Sequence, residues 1–342
     1  MSTEGGTKAV IAAMLANLGI AITKFIAFLL TGFSSMLAES IHSVADTSNQ
    51  VLLLVGGKRA KREATPEHPF GYGRERYVYS FIVAIILFSL GGLFALYEAW
   101  HKYEESHGET GYDPFESRWW WVPLVVLTIG IALEGWSFRT AVLESNKVRG
   151  RRSWLRFVRS SKSPELPVIL LEDFGALIGL VLALFGVGLT LLTSNPVFDA
   201  LGTAAIGVLL VVIAIFLAVE MKSLLLGESA MPRHRKAILE ALESPETIDR
   251  VIHVRTQHLG PEEVLVAAKV AVGAPDRAVE VARAIDEAER AARAAVPDLD
   301  LVMYIEPDID RVESYEAVRS RGEGTLAGTA GEGTSSEHSG GG

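Results

Sequence analysis

The stretch "SMLAESIHSVADTSNQ", residues 35–50, places Glu39, His42, Asp46 and Asn49 among apolar residues. On a helix of 3.6 residues per turn these four positions fall within roughly 80° of one another. Leu37, Ile41, Val44, Val51 and Leu52 take the opposite face. The stretch therefore reads as one helix with a polar stripe and an apolar back. A charge in hydrocarbon costs at least roughly 2.5 kcal/mol, so such a stripe normally faces a cavity or a partner.

The rest of the chain makes hydrocarbon the expected setting. Its 342 residues are 49% hydrophobic with a positive mean hydropathy, more than a soluble core of this size needs. Six stretches can each cross a bilayer core of roughly 30 Å as helix: Ala9 to Leu30, Ser35 to Gly56, Tyr77 to Trp100, Trp119 to Leu143, Leu166 to Leu192 and Pro196 to Val219. The N-terminal run from Lys8 lacks a small-residue cleavage site and reads as a retained helix. There is no cysteine, which excludes disulfides, thiolate metal sites and cysteine nucleophiles. The net charge of −9 argues against general nucleic-acid binding.

Loop charges orient the segments. Lys58, Arg59, Lys61, Arg62, Arg74 and Arg76 lie between segments 2 and 3. Lys147, Arg149, Arg151, Arg152, Arg156, Arg159 and Lys162 lie between segments 4 and 5. Both loops, and with them both termini, are expected in the cytoplasm. The loop between segments 3 and 4 carries Glu104, Glu105, Glu109, Asp113 and Glu116 against Lys102 and Arg118, as an external loop would. Trp119, Trp120 and Trp121 suit the outer interface.

After segment 6 the composition turns soluble. Helix is expected over Pro232 to Glu243, strands over Asp249 to Gln257 and Val264 to Val272, an amphipathic helix over Pro275 to Ala295, and a strand over Leu301 to Glu306. The expected architecture is a six-helix transmembrane domain over residues 1–230, with an α-β-β-α-β, ferredoxin-like α+β domain over 231–312. The Gly, Ser and Thr-rich tail, 313–342, reads as disordered.

Without cysteine, a soft-metal site has to use histidine and carboxylates. His42 and Asp46, four apart, can offer one imidazole nitrogen and one carboxylate oxygen to the same divalent cation, with Zn²⁺ accepting both. Segment 5 supplies a second acidic point in "LPVILLEDFGAL", with Glu172 and Asp173. Counted from the cytoplasmic ends, Asp173 sits about seven residues in and Asp46 about ten, a depth difference of roughly 5 Å. Adjacent helix residues diverge by about 100°, so Asp173 is the favoured ligand and Glu172 an auxiliary ligand, proton carrier or gate. His42, Asp46 and Asp173 leave a fourth position to Glu172, Asn49 or water. Asn49 reads as a supporting hydrogen-bonding group. Glu39 lies nearer the outer interface, as a further ligand or at a watered entrance. Metal needs neutral histidine and ionised carboxylates, so loading expels protons and protonation expels metal. The alternatives are polar glue between helices, proton conduction without metal, and a metal-dependent membrane enzyme. No nucleophile or oxyanion site supports the last.

The sequence resembles the cation diffusion facilitator family of divalent-metal/proton antiporters over nearly its whole length to about residue 310. "TGFSSMLAESIHSVADTSNQ" at 31–50 and "HPFGYGRER" at 68–76 look most like the zinc transporter nine-like branch. The resemblance implies a transport site with two ligands four apart on helix 2, matched by His42 and Asp46, and two four apart on helix 5. Asp173 matches the second of these, but Ile169 stands where the first should be and cannot coordinate metal. It further implies a homodimeric, multi-pass protein of the plasma or inner membrane that exports Zn²⁺ against protons by alternating access, with no prosthetic group and no enzymatic activity. The alternatives within this reading are transport of Mn²⁺, Fe²⁺ or Co²⁺, and a transport-deficient partner or sensor subunit. His68 keeps a loop histidine, but Tyr72 replaces a second one found in some members. Ala268, Tyr304 and Glu306 take positions where some members bind two metals, so no binuclear site is expected, although His253 and His258 remain. Arg74 reads either as a partner of Glu228 or as a solvated surface arginine, and Glu134 of segment 4 reads as a partner of Lys24, with a ligand-supporting or permeation role as the alternative.

Overall fold

A computed structural model describes residues 3–108, 118–273 and 278–308, with side chains from residue 17 onward except at 107 and 108. Glu109, Asp113 and Glu116 of the expected external loop, the start of the helix at Pro275, and the tail 313–342 lie outside the described residues. The chain divides into two compact units. The first runs to Glu228 and includes the turn His258–Glu263; the second comprises Ser229–Gln257 and the residues from Val264 on.

The first unit is helical: α1 (Thr3–Thr31), α2 (Ser34–Arg59), α3 (Glu75–Ile86), a π-helical stretch at Leu87–Leu93, α4 (Phe94–Gly108), α5 (Val122–Arg149), α6 (Trp154–Ser160), α7 (Glu165–Thr193) and α8 (Val197–Leu226). Among the described residues, four helical stretches are long and apolar enough to cross a membrane: Glu75–Ser106, Val122–Arg149, Glu165–Thr193 and Val197–Leu226. In α1 the apolar part with described side chains, Asn17–Thr31, is shorter. α2 is 26 residues long, but its buried face is Glu39, Ser40, His42, Ser43, Asp46 and Asn49, which lowers its hydropathy. Its polarity is on the inside, inverted relative to a water-soluble helix.

Gly32, with φ +72°, lets the chain reverse between α1 and α2 within two residues. At the interface of α7 and α8, a Cβ on Gly186 would sit 3.0 Å from the carbonyl oxygen of Phe198, and one on Gly202 3.2 Å from the Gly186 Cα. These small residues bring two backbones into contact, the packing available where lipid offers no hydrophobic drive. The core between helices is apolar, with Met36, Val83, Leu87, Leu127, Leu180, Ile206, Leu210 and Leu217 buried. Ile129, Trp136, Phe185, Leu192 and Val212 remain exposed on the outer faces. Apolar surface on that scale is abnormal in water and suits lipid.

At the loop ends the helices are tied by ion pairs. Lys162 bonds Glu228, which also accepts from Ser223, and Arg76 meets Glu165 at 3.5 Å. The expected Arg74–Glu228 pair is therefore corrected: Lys162, carried by the segment after α6, takes Glu228. α6 itself was not anticipated; the loop basics concealed a short helix capped by Ser153, which accepts from the Arg156 amide.

The second unit contains α9 (Pro232–Leu242), β1 (Ile248–His258), β2 (Glu263–Val272), α10 (Ala278–Ala295) and β3 (Asp300–Asp308), in a sheet ordered β1-β2-β3. Alternate β2 residues Val264, Val266, Ala268 and Val270 are buried, and α10 contributes Ala284, Ala288 and Ala292, a four-residue spacing that keeps one helix face in the core.

Candidate metal-transport site

α2 brings its polar stripe inward against α1 and α7. Nothing in lipid could solvate these groups, so burial requires partners. Lys24 of α1 donates to Glu39 Oε2 at 2.9 Å and to Ser43 Oγ at 3.0 Å, and all three residues are buried. Two expectations are corrected here. Glu39 is not at a watered entrance but fully buried, and Lys24 pairs with Glu39 rather than Glu134, because residues 24 and 39 face each other across the α1–α2 hairpin. The second Glu39 oxygen abuts α7, where a Cβ on Gly179 would lie 2.9 Å from it.

One turn further along, His42 is 1% exposed and neither ring nitrogen makes a hydrogen bond among the described residues. Its Nε2 is 3.5 Å from Asp46 Oδ2, and the other Asp46 oxygen has no hydrogen-bond partner. Buried polar atoms are almost always satisfied, so this vacant pair of donor-capable groups stands out. Gly91 of the π-helical stretch lies alongside, its virtual Cβ 3.8 Å from His42 Nδ1. π-helical turns recur at functional positions.

α7 contributes the opposite side. Asn49 Nδ2 donates to Glu172 Oε1 at 2.6 Å, a hydrogen bond between α2 and α7. Asp173 accepts from Ser137 of α5 at 2.9 Å. Glu172 thus turns to α2 and Asp173 to α5, as adjacent helix positions must. Among the described residues, no three His, Asp or Glu side chains stand in an arrangement that could hold a metal ion. The four sequence candidates His42, Asp46, Glu172 and Asp173 lie in one layer but not in one coordination shell. Ile169 is partly buried and packs at the edge of the apolar cluster of Ala141, Phe157, Val158 and Leu170, so an apolar side chain stands where the resemblance implied a ligand.

The remaining histidines are apart from this layer. His68 sits in an exposed loop, bridged to Thr65 and tilted against the Tyr72 ring at 4.7 Å. His253 is exposed on β1, and His258 is buried with Nδ1 3.0 Å from the Gly260 carbonyl oxygen. Asp199, not singled out in the sequence, accepts from the Ser34 amide, Ser34 Oγ and Ser35 Oγ at the start of α2. An acid three residues after Pro196, at the head of an apolar run, was the available signal.

The sequence comparisons decide the family. Residues 10–226 match the cation efflux transmembrane domain. The chain belongs to the cation efflux, or cation diffusion facilitator, family. This is a family of transporters rather than enzymes, and the similarity lies in its zinc transporter nine-like branch. The proton-coupled zinc antiporter SLC30A9, mitochondrial, of Mus musculus is 33% identical over 273 residues, covering 78% of this chain and 46% of the relative. The Homo sapiens protein of the same name is 33% identical over 272 residues, 78% of this chain and 46% of its own. Metal tolerance protein C4 of Arabidopsis thaliana is 26% identical over 270 residues, 76% of this chain and 56% of the relative. The chain spans about half the length of the relatives it matches.

Proposed function

We propose that this cation efflux protein is a divalent-cation/proton antiporter whose cargo is Zn²⁺, with His42, Asp46 and Asp173 as ligands and Glu172 as auxiliary. The observation that carries this reading is the buried His42–Asp46 pair, with free imidazole nitrogens and a free carboxylate oxygen inside an apolar helical unit. Neutral imidazole suits Zn²⁺ or Co²⁺ better than an all-oxygen set would. The SLC30A9 relatives are proton-coupled zinc antiporters, which points the same way.

α1 and α2 complete a six-helix membrane domain in this reading, with both termini in the cytoplasm. Alternating access follows from rocking α2 against α7 around the layer of donors. In one limiting position the donors stand apart, and cation entry draws them together. Release follows when protons take the carboxylates and the imidazole. The soluble unit, in ferredoxin-like order, mediates a homodimer in the plasma or inner membrane, or in a mitochondrial membrane as the relatives' names suggest. A second reading, a transport-deficient partner or sensor subunit, draws on one observation, the apolar packing of Ile169 where a ligand is expected.

The deciding experiment is Zn²⁺ uptake with simultaneous internal pH recording in proteoliposomes. Antiport requires zinc-driven proton release that is lost in His42→Ala and Asp173→Ala. Absence of coupled flux in the wild-type protein refutes the proposal.

A further inference from the structure

Resting on the antiporter reading, we propose that Glu134 of α5 supplies the carboxylate oxygen that Ile169 cannot, so the cation site is built from three helices, α2, α5 and α7.

The helix register carries the argument. α5 meets α7 through Ser137–Asp173 and, seven residues further along each helix in opposite directions, through Gly130 against Leu180, where a Cβ would lie 3.2 Å from the Leu180 side chain. The two helices are therefore antiparallel with one continuous contact face. Ile169 lies one turn to one side of Asp173 and packs, partly buried, against the cluster of Ala141 of α5 with Phe157, Val158 and Leu170. Glu134 lies one turn to the other side, three residues before Ser137, at the level of buried Ala176.

α2 meets the same α7 surface through Asn49–Glu172 at one end and Glu39 beside Gly179 at the other. Ala176 falls between these contacts, as do His42 and Asp46 on α2. Glu134 thus shares a depth with the His42–Asp46 pair. The charges acting on it are Asp46 first, then Lys24, Asp173 and His42. Among the described residues no hydrogen bond or ion pair engages the Glu134 carboxylate. His42, 1% exposed with both ring nitrogens unbonded, faces this layer. The imidazole stands 3.5 Å from the Asp46 carboxylate and at the level of Glu134 across the α2–α5 space, so an inward movement of α5 would add the Glu134 oxygen to the His42–Asp46 pair. The Ser137 hydrogen bond fixes Asp173 in its orientation toward α5, which is the role of a group that orients a ligand.

The test uses the full chain purified in detergent and titrated with Co²⁺, whose visible spectrum reports its ligands, alongside Zn²⁺ competition against a fluorescent chelator. Glu134→Gln is expected to weaken Zn²⁺ binding by about tenfold or more, the scale on which even outer partners of a metal act, and to change the Co²⁺ spectrum. Glu134→Asp keeps the charge but withdraws the oxygen by one methylene. It should fold if the glutamine variant does not, and is expected to bind more weakly with an altered spectrum. An unchanged spectrum and affinity in either folded variant, with binding lost in His42→Ala, overturns the role of Glu134 alone. A wild-type protein that binds neither ion overturns the antiporter reading and this one with it.

Discussion

Lys24 and Glu39 form a fully buried ion pair, Nζ to Oε2 2.9 Å, between α1 and α2 and one turn from His42. Removing one partner of such a pair leaves an uncompensated charge and costs about 3–5 kcal/mol, whereas replacing both with apolar groups is often near neutral. Lys24→Met alone should therefore lower the melting temperature sharply. Lys24→Met with Glu39→Leu should restore much of it, as read by thermal unfolding in detergent. A double variant as unstable as the sum of the singles contradicts the pairing.

Asp199 ties the start of α2 to α8 through three hydrogen bonds from Ser34 and Ser35. Asp199→Ala strands a buried amide and two hydroxyls, each costing about 1–3 kcal/mol when unsatisfied. Asp199→Asn retains an acceptor oxygen and should lose less. Thermal unfolding of the two variants side by side checks the order, and equal losses contradict it.

Ile169→His places an imidazole in the cluster of Phe138, Ala141, Phe157 and Val158. The expected outcome is a loss of about 1–3 kcal/mol, the cost of an unpaired buried polar group, without a gain in zinc selectivity while Glu134 is intact. A metal panel of transport rates measures this. Increased zinc preference in the variant would show that the missing ligand position is open after all.

His234 in α9 is buried, accepts a hydrogen bond from Arg233 Nε at 3.0 Å and stands 3.3 Å from Asp298. Burial holds its imidazole below the ordinary histidine value of 6.5, outweighing the opposing pull of Asp298. With the folded value lower than the unfolded one, the unfolded chain takes up the proton first as pH falls. Stability of this unit is therefore full above pH 6.5 and declines below it. Hydrogen exchange of α9 amides, corrected for intrinsic rates, should show less protection at pH 5.5 than at 7.5, and His234→Gln should flatten the difference. Equal protection at both pH values in the wild type contradicts it.

Much of this protein was legible in its residues. Periodicity placed α2, α7 and the elements of the second unit within a few residues, and ended α8 seven residues short, at Val219 instead of Leu226. Facing at 3.6 residues per turn put Glu39, His42, Asp46 and Asn49 on one inward side, where the structure has them. Adjacent-residue geometry separated Glu172 from Asp173, but it is Glu172 that turns to α2, while Asp173, the favoured ligand, turns to α5. The π-helical stretch and α6 were not readable, because glycine-rich apolar runs and basic loops carry no distinctive period.

What the sequence determined by itself was the set of chemical groups and the helix face each occupies, since both follow from local geometry and from the cost of charge in hydrocarbon. Which groups meet was decided only by the tertiary structure. Lys24 pairs with Glu39, Asp199 with Ser34, and Ser137 with Asp173 because helix packing brings them within about 3 Å, the range of a hydrogen bond, and Lys162 meets Glu228 where the segments after α6 and α8 converge. A single sequence contains no information on that register. The same register packs Ile169 at the edge of an apolar cluster and sets Glu134 at the depth of His42 and Asp46.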